Sequence, residues 1–216
     1  MTTPLRIETI VAAPFAQNAY VVWRPGSPEA LVFDPGFDPE SLIDILSSES
    51  LKPVAIVNTH GHADHIAGNA TMLARFPGIP LIIGRNEAHL LTDPQTNLSA
   101  HYGLPIISPK ADVLVDDNQR IELAGIEFLV KEIPGHSPGS VVFIADGESP
   151  PIVFVGDVIF AGSVGRCDFP GGSAKKLISG IKEKLFKLPD EAVLYSGHGP
   201  ETTIGEEKAN NPYCQV

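Results

Sequence analysis

Six consecutive residues constrain this chain more than any other stretch: His60-Gly61-His62-Ala63-Asp64-His65 sets four metal-competent side chains in a row. They follow residues 54–58, a run that is apolar except at its last position and reads as a strand buried on both faces. Residues 66–76 then read as a helix, broken by Pro77-Gly78. Strand ends in such sheets open onto ligand crevices, so the fold has to aim this run at a site. His60 and His62 are two apart and can meet one ion in an extended or turning chain. Asp64 and His65 stand at the turn into the helix and can face a second ion. Neutral imidazole with carboxylate suits zinc, iron or manganese. Three of the chain's seven histidines lie in this run, which argues against a merely polar loop.

Further ligands have to come from elsewhere, and three positions share one pattern. His136 follows Gly135 after a strand over 126–133, Asp157 follows Gly156 after one over 152–155, and His198 follows Gly197 after one over 193–195. Each is a short apolar strand, a glycine and then a metal-competent side chain. His89 and His101 lack this setting and read as surface or lid histidines.

Around these positions strands and helices alternate. Strands are expected over 5–11, 18–24, 31–33 and 81–83, with a helix over 39–50 that has Pro39 at its first position and Leu42, Ile43 and Leu46 on one face. The second half repeats the rhythm with strands over 113–115, 120–124 and 141–145. Ile126, Phe128 and Val130 share a face by the period of two. A helix over 173–187 and a short one capped by Thr203 and Glu206 complete it. Two sheets packed face to face with helices outside satisfy the pattern, in an α+β (α/β) domain spanning 1–216. Residues 84–111 fit least well; they read as a short helix and polar turns able to cover a site.

Composition supports this and narrows the function. Apolar residues make up 43% and charged residues 19%, which permits a sizeable core and excludes a disordered chain. Twenty glycines and twenty prolines suit many short strands better than a helical bundle. A net charge of -11 without a basic block makes a poor nucleic-acid or anionic-membrane binder and counts against a nuclease of any kind. The apolar runs reach about five residues, well short of the ~18 that span a bilayer. The opening MTTPLRIETI has no apolar core of a secretory signal, and Cys167 and Cys214 form no disulfide framework, so a cytoplasmic protein with reduced thiols is expected.

With these residues in view, the chain resembles the metallo-β-lactamase superfamily, and within it the small single-domain glyoxalase II-related hydrolases. THGHADHIAGN, PGHSPGS, GDVIFAGSVGRCDFPGG and SGHGPETTIGEEKANNPY each resemble family segments in the expected order. The resemblance implies a four-layer αβ/βα sandwich with two divalent metal ions at one edge, between the sheets. Zinc is the first expectation for both, with iron or manganese as alternatives. His60, His62 and His136 would hold one ion; Asp64, His65 and His198 would hold the other; Asp157 would bridge them. The implied chemistry is hydrolysis of a small-molecule thioester such as an S-acylglutathione, since divalent metals lower the pKa of water from about 15.7 to about 7. Larger glyoxalase II enzymes carry a C-terminal helical extension that helps hold glutathione, whereas about 18 residues follow His198.

Arg166, nine residues after Asp157, is similar in position to a basic residue that binds glutathione in glyoxalase II; its alternative is an ion pair with Asp168. Asp34 before Pro35-Gly36 either orients a ligand from behind or caps its own turn. Three further readings stay open. A persulfide dioxygenase would need one iron on His60, His136 and Asp157. A β-lactamase shares the ligands. A non-catalytic metal-binding module would close its site with four ligands, where seven over two ions leave room for water.

Overall fold

The computed structural model describes residues 3–215, so residues 1, 2 and 216 of the expected domain lie outside the described residues. Strands and helices build four layers. The first sheet runs β1 (Arg6–Ala12), β2 (Gln17–Trp23), β3 (Glu29–Phe33), β4 (Lys52–Asn58), β5 (Leu81–Gly84) and β6 (Val113–Val115), spatial order matching chain order. β1 to β3 are antiparallel, and β3 to β6 are parallel. Parallel neighbours need crossovers. α1 (Pro39–Ser48) joins β3 to β4, and α2 (Ala63–Ile66) with α3 (Asn69–Arg75) joins β4 to β5.

The second sheet holds β7 (Arg120–Leu123), β8 (Ile126–Glu132), β9 (Val141–Ala145) and β10 (Ile152–Gly156) as an antiparallel meander. A two-stranded ribbon of β11 (Ile159–Phe160) and β12 (Ser163–Val164) follows β10. β13 (Val193–Ser196) then joins β10 in parallel, with β14 (Thr202–Thr203) beyond it. α4 (Ala174–Gly180) and α5 (Ile204–Asn210) lie on this sheet. Thr203 caps α5 by accepting from the Glu206 backbone N–H, as expected from the sequence.

Alternation along the strands makes the layers. Tyr20, Leu31, Phe33 and Val57 of the first sheet meet Phe128, Val130, Phe143 and Phe154 of the second in one buried cluster. Phe33 stacks on Phe154 with ring centroids 4.1 Å apart. Val21, Val32 and Ile56 face the other way onto Leu42, Leu46, Ile66 and Met72 of the helices. Val142, Ile144, Val153 and Leu194 do the same against Leu177, Ile181 and Leu185. β4 therefore is buried on both faces. Removing a filled aromatic from such a core costs about 3–5 kcal/mol. No helix among the described residues is long and apolar enough to cross a membrane.

Three helical expectations shift. The helix expected over 66–76 starts at Ala63, inside the ligand run, and breaks at Ala67-Gly68. A Cβ on Gly68 would lie 2.2 Å from the Pro35 carbonyl oxygen, so the helix is pressed against the loop after β3. The helix expected over 173–187 ends as α at Gly180 and widens into a π turn over Ile181–Leu185. Gly180 rests on Ile133, and the wider turn still buries Leu177, Ile181 and Leu185. Residues 84–111 contain two 3₁₀ segments, Arg85–Thr92 and Ser99–Tyr102.

Candidate metal centre

The parallel strands carry their C-terminal ends to one edge of the sandwich. Asp34 leaves β3, His60 leaves β4, Asp157 leaves β10 and His198 leaves β13 there. His62 caps the N-terminus of α2 in an extended conformation, and Asp64 and His65 sit in its first turn. The ligand run thus passes from strand to helix within six residues, which turns successive side chains toward one point.

All seven expected ligands converge. One ligand atom from each of His60, His62 and His136 lies within 4.8 Å of the others, and the same holds for Asp64, His65 and His198. His62 Nδ1 and His136 Nε2 stand 2.9 Å apart. Asp157 reaches both groups. Its Oδ1 is 3.3 Å from His65 Nε2, and its Oδ2 is 3.4 Å from His136 Nε2 and 3.6 Å from His198 Nε2.

Hydrogen bonds behind the imidazoles decide which nitrogen each presents. The Thr59 hydroxyl donates to Asp34 Oδ2 at 2.6 Å, so it accepts from His60 Nδ1 at 3.1 Å. His65 Nδ1 donates to Asp34 Oδ2 at 2.9 Å, and His136 Nδ1 donates to the Arg166 backbone carbonyl at 2.9 Å. All three rings are therefore held by Nδ1 and turn Nε2 toward the same space. His60 Nε2, His65 Nε2 and Asp157 Oδ1 are buried without a hydrogen bond among the described residues. The short His65–Asp157 approach lacks hydrogen-bond geometry. Each orphaned group would cost about 1–3 kcal/mol. A cation removes that cost, so the donor set fits divalent metal.

Asp34 also lies within reach of His60 and His65 as a third such group. Its carboxylate is committed to Thr59 N–H at 2.8 Å, the Thr59 hydroxyl and His65. It stands behind the ligands and orients them, rather than merely capping a turn.

Electrostatics divide the site. Burial, with the charge of His136, pushes His62 down to about 3, and burial holds His60 and His136 below the usual imidazole range. Burial thus favours the uncharged imidazole on all three, the form a metal needs. Burial disfavours charge on His65, but Asp64, Asp157 and Asp34 outweigh it and hold it high. Burial likewise opposes charge on Asp157, yet His65 and His136 keep its carboxyl well below the ordinary range.

The glycine before each outlying ligand is a packing requirement. A Cβ on Gly197 would fall 2.1 Å from Asp157 Oδ1 and 2.7 Å from His65 Cε1. Gly156 has φ +49°, and its Cβ would meet the Thr59 hydroxyl at 2.3 Å.

The ligands open onto a cavity of about 530 Å³ lined also by Phe15, Phe37, Leu98, Tyr102, Phe160 and Phe169. Arg166 lines it too, and its guanidinium pairs with Asp168 through Nε–Oδ1 at 3.0 Å and a terminal nitrogen–Oδ2 at 2.8 Å. The ion pair with Asp168 is therefore formed, on a residue that also faces the cavity. His89 and His101 are exposed and outside the lining.

Glu87 carries no sequence signal of its role. It is fully buried, and its carboxylate accepts from Gly61 N–H at 2.8 Å, Gly139 N–H at 2.6 Å and the Ser137 hydroxyl at 2.8 Å. It ties the HGHADH loop to the PGHSPG loop. Asn18 has a similar role; it donates to the carbonyls of Ser196 and Gly199, holding the His198 loop to the opposite sheet. A buried asparagine in an apolar strand is the one hint the sequence offers.

Known proteins are similar to this chain in sequence and fold. A hydroxyacylglutathione hydrolase, GloC, of Haemophilus influenzae is 35% identical over 97% of this chain and 98% of its own. Among solved structures, the BLEG-1 B3 metallo-β-lactamase superposes with a TM-score of 0.92 at 39% identity, over 98% of this chain and 100% of that one. TTHA1623, solved in a di-iron-bound form, superposes with a TM-score of 0.83 at 34% identity, over 95% of this chain and 99% of that one. The sequence profile of the metallo-β-lactamase superfamily matches residues 12–198, which takes in every one of the converging ligands. Fold and sequence agree: the chain belongs to the metallo-β-lactamase superfamily, a family of metallo-hydrolases.

Proposed function

We propose that this protein is a binuclear metal-dependent thioester hydrolase of the hydroxyacylglutathione hydrolase type. His60, His62 and His136 would hold one ion, Asp64, His65 and His198 the other, and Asp157 would bridge them. Bound divalent metal supplies polarisation of an acyl carbonyl and a water acidic enough to ionise near pH 7.

One observation carries the choice of thioester. Apart from the metal ligands, the cavity lining contains no carboxyl, imidazole, thiol or lysine side chain, and its one phenol, Tyr102, is 55% exposed at the mouth. A leaving group therefore has to depart without a dedicated proton donor. In the reaction, water oxygen bonds the acyl carbon and the C–S bond breaks with its electron pair on sulfur. A carboxylate, a thiol and one proton result. A thiol of pKa about 8.5 leaves readily as thiolate, whereas an alkoxide does not. The chain's own contribution is positioning: Asp34, Thr59 and the Arg166 carbonyl fix the imidazoles, and Arg166 itself contacts the substrate's thiol portion.

The likeness to the BLEG-1 B3 metallo-β-lactamase supports a second reading, β-lactam hydrolysis. One panel separates them. Metal-loaded protein is assayed on S-lactoylglutathione, an aryl-acyl thioester, the matching oxoester and a chromogenic cephalosporin, alongside metal analysis. Two metals per chain and thioester turnover far above the oxoester are expected. Faster cephalosporin turnover would favour the second reading. A single metal with oxygen uptake on glutathione persulfide would replace both by the dioxygenase.

A further inference from the structure

The cavity beside the ligands has two chemically distinct parts. One carries the cation: Arg166 lies over the Phe169 ring at 4.4 Å and is held by Asp168, and Phe169 packs edge-on to His62 at 5.4 Å between centroids. The other offers no charge. Phe15 packs against Phe37 at 5.7 Å and edge-on to Tyr102 at 5.2 Å, with Leu98 and Leu104 in the same lining. Apart from the Tyr102 hydroxyl, the polar side chains of that part are already committed. Asn97 Nδ2 donates to the carbonyls of Leu90 and Ile106, and its Oδ1 accepts from the Ser99 N–H and hydroxyl. The Ser99 hydroxyl oxygen in turn accepts from Ile106 N–H. A polar group placed there would lose water and find at most the Tyr102 hydroxyl as a partner, which is unfavourable.

Exposure points the same way. Tyr102 is 55% and Leu104 64% exposed, large apolar side chains left in water at the mouth of a cavity. Adjoining apolar surface of this kind marks a binding groove.

We propose that the acyl group of the substrate is apolar, an aryl-acyl or branched medium-chain group lying on the Phe15–Phe37–Tyr102 wall. A thioester has two ends. An anionic thiol portion needs the cation and goes to the Arg166 side, which leaves the wall to the acyl end. A hydroxyacyl group such as lactoyl wastes that wall and sets its hydroxyl against spent acceptors. This inference rests on the thioester reading above and selects within it.

The test holds the thiol constant as glutathione and varies the acyl group. With two-metal protein, S-phenylacetylglutathione should exceed S-lactoylglutathione in kcat/KM by about tenfold or more, the scale on which apolar pockets discriminate. In Phe15→Ser and Tyr102→Ser the ratio of the two kcat/KM values should fall by about tenfold. Two variants guard against one misfolding, and Ile107→Ser, which alters an exposed apolar residue outside the lining, should leave the ratio as in the wild type. A preference for the lactoyl substrate, or an unchanged ratio in both wall variants that keep their Tm, overturns the inference and spares thioester hydrolysis. Absence of turnover on every thioester by metal-loaded protein overturns the thioester reading and this inference with it.

Discussion

Asp34 illustrates how a residue outside the ligand set governs the site. One buried carboxylate holds the Thr59 hydroxyl, and through it His60, while also accepting from His65 Nδ1. Partners of this kind are worth about 10–100-fold in metal affinity or activity. Asp34→Ala should lower affinity by that order, read by competition with a chromophoric chelator, while Asp34→Asn keeps an acceptor and recovers part. Equal affinity in all three proteins would show that the ligands orient themselves. Arg166 gives the complementary case. A hydrogen bond to a charged group contributes about 1.5–3 kcal/mol. Arg166→Ala should therefore raise KM for a glutathione thioester about ten- to a hundredfold with kcat little changed, as lost uniform binding does. A fall in kcat at constant KM would instead place Arg166 in transition-state stabilisation. No change in either would leave it as the ion pair with Asp168. Arg166 was legible as a basic residue on a loop from the site, but its stacking on Phe169 depends on where residues 165–169 fold.

Among elements, the 3₁₀ segment Arg85–Thr92 has an effect that its sequence conceals. It carries Glu87 into the gap between two ligand loops, where burial pushes the carboxyl up against the pull of Ser137 and the Gly61 and Gly139 amides. Glu87→Ala strands those donors, at about 2–5 kcal/mol in all. For a chain of this size each kcal/mol moves Tm by about 2–4 °C, so thermal unfolding should fall by roughly 5–15 °C, and metal affinity should fall with it. Glu87→Gln keeps one acceptor oxygen and should recover part of both. A Tm for Glu87→Ala within a degree of wild type would remove the tie. The strands were readable because burial and period of two agree along them. Helix limits were less so: propensity permits 66–76, but packing of Gly68 on the β3–α1 loop decides that the helix begins at Ala63 and breaks.

At the scale of the whole molecule, metal and fold are separable. The three apolar clusters that hold the sheets and helices together contain none of the ligands. Chelation should therefore leave the circular dichroism spectrum intact. It should still lower Tm, because a ligand at 100 times its Kd contributes about 2.7 kcal/mol. That corresponds to about 5–10 °C per site, read by calorimetry with and without chelator. An unchanged Tm would mean that the converging imidazoles hold no tightly bound ion.

The features legible along the chain were local and chemical. The HGHADH run, the strand–glycine–ligand pattern at His136, Asp157 and His198, and the alternation of apolar residues all depend on near neighbours, so spacing and residue type suffice to read them. Long-range contacts came from packing: Glu87 bridges loops 26 and 52 residues away, Asn18 of one sheet clamps the His198 loop of the other, and Phe15, Phe37 and Tyr102 form one wall. Side chains brought together by sheet packing leave no period in the chain, and burial of a glutamate or clustering of aromatics becomes visible when the layers close.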